Sequence, residues 1–142
     1  MIGLVETCGQ CGFDAAAYTR DDLLGSLRAL APIWRTATEG IDPSILAARP
    51  APGVWSAMEY GAHSRDVTAA MGFLLQVALT EDAPALGPFP ADPPAPEMAP
   101  SMRETITQLD KHVARLNGRA TKMSDEDWHR TVTAGEQTAD AT

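Results

Sequence analysis

Basic side chains are scarce in this sequence: 11 lysines and arginines stand against 19 acids in 142 residues, for a net charge of -8. No basic footprint is left to hold a phosphate backbone or an anionic bilayer surface, which argues against nucleic-acid and membrane-surface partners. Long apolar runs are missing too. No stretch approaches the ~20 residues of a bilayer-spanning helix, and the N-terminus lacks the basic start and apolar segment of a secretory signal. A soluble, cytoplasmic protein is the expectation. There are only two cysteines, too few for a disulfide framework. Cys8 and Cys11, in Cys8-Gly9-Gln10-Cys11-Gly12, have a spacing suited to metal or redox chemistry. A four-thiolate zinc site needs a second pair, and no other cysteine exists. Reduced thiols, a redox pair, a site shared between two chains and a contribution to a site at His63 all stay open.

What is present predicts one domain with a real core. Residues 1–18 show no clear period and are expected to form an irregular arm, with a helical domain over 19–142. Thr19 and Asp22 make a capping pair. Behind them Leu23, Leu27, Leu30, Trp34, Ala37 and Ile41 keep the four-and-three spacing of a helical face, closed by Gly40, with a kink expected near Arg28 to Pro32. Pro43, Pro50, Pro52 and Gly53 then read as a connection. Ser56 and Glu59 form a capping box, and Trp55 and Tyr60 a hydrophobic staple, so the register of a second helix is fixed. Tyr60, His63, Val67, Ala70, Leu74 and Val77 line one face of it, expected to be the buried one.

Seven prolines over residues 81–100 exclude a regular helix or a central strand there. Ser101 and Glu104 cap a third helix, whose Met102, Ile106, Leu109, Val113, Leu116, Ala120 and Met123 keep a heptad rhythm. Ser124 opens a short turn, and its acids are helix-start charges. Trp128 is available to plug one end of the core, Trp34 and Trp55 to fill it, and Thr131 to Thr133 are expected to be extended. Three long helices with wide apolar faces are best covered by a fourth, as in an antiparallel bundle. Nothing after Thr133 offers a fourth stripe, and Thr138 to Thr142 look like the approach to a helix not in this sequence. Its absence would forgo on the order of 10 kcal/mol of gross apolar burial.

His63 replaces an apolar residue on the second helix's stripe. A buried imidazole asks for an acceptor, a proton or a metal ion; the plain alternative is a core histidine satisfied by a carbonyl or carboxylate. His112 and His129 read as surface histidines. Asp66, one turn after His63, reads as a solvated residue, an ion-pair partner of an arginine, or a group that orients the His63 ring.

The order of parts, W-S-x-x-E-Y-x-x-H-x-x-D on the second helix, a proline-rich crossover, a heptad helix and then M-S-D-E-D-W, resembles the DinB-like superfamily. That group includes mycothiol-dependent maleylpyruvate isomerases and other metal-dependent thiol transferases, and the CxxCGFD start is similar to an actinobacterial branch. The resemblance implies an all-α, up-and-down four-helix bundle. It also implies a divalent metal, often zinc, held by one histidine of the second helix and a Glu-or-His-x-x-x-His pair of the last. His63 matches the first ligand, and the other two have no counterpart. The implied chemistry is attack of a metal-activated thiolate, such as mycothiol, on a small-molecule electrophile. The competing expectation is a non-catalytic module that forms a homodimer, or binds a partner helix, through an uncovered apolar face.

Overall fold

A computed structural model describes residues 12, 14, 17–87, 95–130 and 132–134. The expectations for Cys8, Cys11, Thr131 and the final residues lie outside the described residues. Three long helices dominate, and each starts where a side chain can satisfy orphan backbone amides. Helix α1 (Arg20–Thr38) begins at Thr19, whose hydroxyl accepts from the Asp22 amide while the Asp22 carboxylate accepts from the Thr19 amide. Pro32 lies inside α1 without ending it. Past Glu39, Gly40 takes φ +73°, a left-handed conformation that ends the helix cheaply only in glycine. Ile41, read as the last residue of the stripe, therefore lies beyond the helix and is exposed, as is Leu23. The middle of the stripe holds: Leu27, Leu30 and Trp34 pack on the core around fully buried Ala31.

The proline-marked connection contains a short helix that the sequence reading did not expect, α2 (Pro43–Ala47). Pro43 stands at its first position and Asp42 caps it, and Leu46 drops into the core. Helix α3 (Ala57–Thr80) starts with the expected reciprocal capping box of Ser56 and Glu59. Trp55 and Tyr60 meet as the expected staple, with ring centroids 5.5 Å apart. Helix α4 (Met102–Ala120) buries Met102, Ile106, Leu109, Val113 and Ala120, with Thr105 added; of the expected stripe, Leu116 is only half-buried and Met123 lies past the helix's end. Ser101 accepts from the Glu104 amide, but the Glu104 carboxylate turns to Gln108 instead of closing a box.

Helix α4 is the middle of the molecule. Both α1 and α3 pack along it, while α1 and α3 hardly touch. This adjacency differs from a simple up-and-down order, in which helices consecutive in sequence would be the close neighbours. Polar links fix both seams: Arg28 donates to Asn117 (3.3 Å) and Arg119 to the Gly72 carbonyl (2.8 Å). A short α5 (Asp125–Trp128) follows, with the Ser124 cap in place. Trp128 is half-buried beneath the Arg20 guanidinium, 5.1 Å from the ring centre, and Arg20 also pairs with Asp125 at 2.6 Å. It therefore joins α5 to α1 rather than plugging the core. In the proline-rich crossover, β1 (Ala85–Leu86) pairs in parallel with β2 (Thr133–Ala134), giving the expected extended tail a partner.

The stripe assigned to α3's buried face points the other way. A helix advances about 100° per residue, which puts His63, Val67 and Leu74 opposite Gly61, Arg65 and Gly72. The second set forms the seam with α4, with Ala62 and Thr68 also buried, while Tyr60 is 46% and Val67 41% exposed. At Gly61 the cause is proximity: a Cβ there would lie 3.2 Å from the Met102 sulfur, so at this point α3 can approach α4 only with glycine.

Candidate metal centre

His63 stands two turns into α3, on the side turned from α4, and is half-buried. The capping box and staple set its position. Ser56 and Glu59 fix where the helix begins, and Trp55 then lies between Tyr60 and His63, with the His63 ring edge-on at 5.3 Å and 68°. Among the described residues no group hydrogen-bonds the imidazole, and no buried side-chain nitrogen or oxygen lacks a partner. The ring nitrogens thus open to solvent. The expectation of a fully buried imidazole is corrected: half-exposure removes the obligation to find an internal acceptor.

Asp66 takes the ion-pair alternative. Its Oδ1 accepts from Arg65 Nε at 2.7 Å, and its side chain is largely exposed. Arg65, which the sequence reading passed over, is the more embedded group. At 9% exposure it also donates to Gln108 Oε1 (3.1 Å) and the Glu97 carbonyl (2.7 Å), so one guanidinium joins α3, α4 and the crossover. The sequence signal was available in its place one helical turn after Gly61 on the small-residue face. Burial of an arginine is tolerated only with such partners.

Beyond its capping role, Glu59 also grips a cation. It accepts from Arg49 Nε at 2.9 Å and from Arg49 Nη2, and from the Ser56 amide at 2.8 Å. Foremost the Arg49 hydrogen bonds, then that of the Ser56 backbone, hold its carboxyl at about 2, against an ordinary 4.5. Glu59 is committed to structure and is no general base. His129 directs Nδ1 to the Asp125 carbonyl at 2.6 Å, in an exposed turn, and His112 is half-buried on α4.

Among the described residues no group of three His, Cys, Asp or Glu side chains converges to hold a metal ion. His63 alone does not make the three-ligand set a catalytic metal needs, so the described residues do not fit such a metal by themselves. Also among the described residues, no helix is long and apolar enough to cross a membrane.

No curated protein sequence matches the chain. Among solved structures it is similar to YfiT from Bacillus subtilis, described as a probable metal-dependent hydrolase with an unusual four-helix bundle topology, at 17% identity and a TM-score of 0.67. The match covers 78% of this chain and 65% of that one, so the chain spans a little under two thirds of that relative's length. At this identity the likeness is one of fold. A family model described as the DinB superfamily matches residues 18–142. With its capped α3, its crossover and its all-α architecture in the expected order, the chain belongs to the DinB superfamily.

Proposed function

We propose that the chain serves a divalent-metal-dependent reaction in which His63 supplies one ligand, and in which water or a low-molecular-weight thiol attacks a small-molecule electrophile. The observation that carries this reading is His63 itself: an imidazole held edge-on against Trp55, with no hydrogen-bond partner among the described residues, on the side of α3 that no described helix covers. The description of YfiT as a probable metal-dependent hydrolase is in keeping with metal chemistry in this fold. The sequence resemblance favours thiol transfer or isomerisation, with mycothiol as the thiol and zinc as the metal. Either chemistry requires further ligands from outside the described residues, and Cys8 and Cys11 are candidates.

Metal analysis of the full chain after zinc loading and desalting tests the reading. Stoichiometric metal in wild type, lost in His63→Ala, is expected; a Cys8→Ser/Cys11→Ser variant reports whether the thiols contribute. A metal-free wild type, or equal metal in His63→Ala, would overturn it. Loss of a low-molecular-weight thiol in the presence of electrophiles then separates thiol transfer from hydrolysis.

A second reading rests on a different observation. Tyr60, Val67, Met71 and Phe73 are exposed along α3, Phe73 at 66%, and apolar surface of this kind marks an interface. In that reading the chain is a non-catalytic module that dimerises or receives a partner helix. Light scattering over a dilution series distinguishes it: a stable dimer without bound metal favours the module.

A further inference from the structure

A sizeable cavity lies away from His63. It is a cleft of about 770 Å³ between the end of α1, α2 and the start of α4. Its apolar floor is Leu46, Met58, Met102 and Ile106, and its rim carries Arg35 and Arg103, with Glu39 as the opposing charge. Met58 and His63 are five residues apart on α3, about 140° around the helix, so the cleft and the histidine use different sides of it.

The two arginines are unusual for this chain. Arg20, Arg28, Arg49, Arg65, Arg119 and Arg130 all have side-chain hydrogen bonds or ion pairs. Arg35, Arg103 and Arg115 have none recorded among the described residues, and two of these three line one cleft. In a protein of net charge -8, unspent guanidinium groups above an apolar floor form a local reversal of sign. The volume suits a small ligand, and apolar walls with a few polar groups at the mouth are how small-molecule sites are generally built. Planar forked donors match a carboxylate, and the apolar floor calls for a hydrocarbon or aryl body.

We propose that this cleft binds a small amphipathic carboxylate, its acid group on Arg35 and Arg103 and its apolar body over Met58, Met102 and Ile106. The site is independent of the His63 proposal. Calorimetric titration of the full chain with octanoate, octanol and octyl phosphate tests it. Saturable 1:1 binding of octanoate is expected, about tenfold weaker in Arg35→Gln and Arg103→Gln, tighter in Glu39→Gln, and unchanged in His63→Ala. Thr107→Trp, an exposed position on the cleft wall, should block the cavity without touching its charge, and circular dichroism confirms that each variant folds. The proposal fails if octanoate does not saturate, if octanol binds equally well, or if octyl phosphate binds more tightly than octanoate. It also fails if binding survives both arginine changes but is lost in His63→Ala.

Discussion

Glu59 shows how much one side chain can hold in place. Its carboxylate caps α3 and binds Arg49, so the chain leaving α2 is anchored to the helix that carries His63. Because the carboxyl is held at about 2 in the folded state against 4.5, its contribution to stability is complete above about pH 4.5. It is lost as pH falls through about 2. Thermal melts of wild type and Glu59→Gln should accordingly converge on acidification from pH 6 to pH 2, with Glu59→Gln the less stable at pH 6; parallel curves would contradict this assignment. The capping role was legible because a box is a local pattern of four residues. The Arg49 partner was not, since it arrives from across a turn whose path no short motif specifies. His63 could be singled out from its heptad place, but its exposure depends on which neighbour α3 chooses, and that is a tertiary matter. Arg65 was hidden for the same reason, as a charged residue reads as surface until its partners are known.

The helices themselves differ in how plainly they declare a buried side. Helix α4 has one apolar stripe among charged residues, so periodicity alone picked out Met102, Ile106, Leu109 and Val113, all buried. Helix α3 is apolar on two sides, one large and one small. The larger side chains drew the assignment, yet the smaller ones form the seam, because close helix approach rewards the absence of side-chain bulk. Gly61 is where this is most acute, its notional Cβ 3.2 Å from the Met102 sulfur and 3.6 Å from Thr105 Cγ2. Gly61→Leu should cost about 1–3 kcal/mol through overpacking, despite leucine's better helix propensity, when measured by urea unfolding. A neutral or stabilising result would mean that the seam is looser than described. Short α2 escaped notice because five residues cannot establish a period, and prolines there read equally well as a loop.

At the scale of the whole molecule, two helices lean on a third, and among the described residues no helix covers the outer side of α3. That arrangement has a measurable signature. Val67→Glu and Phe73→Glu should each change stability by no more than about 0.5 kcal/mol in a monomeric preparation, as exposed substitutions do; a loss of several kcal/mol would show that this side is packed in solution. The helical class and the order of segments followed from the sequence, since both are set by local pattern and spacing. Pairing of α1 with α4, and the near absence of α1 to α3 contact, could not, because connection length alone does not dictate adjacency across a proline-rich crossover.

The small parallel ladder carries a further consequence. Ala85 and Leu86 lie just after α3, and Thr133 and Ala134 follow α5, so their pairing acts as a clasp between the crossover and the tail. With only two rungs it should be among the earliest parts to exchange amide hydrogens, and its release would free both strands together. Tension on the tail would therefore be felt at the start of the crossover, at Ala85 and Leu86, before either long-helix seam gave way.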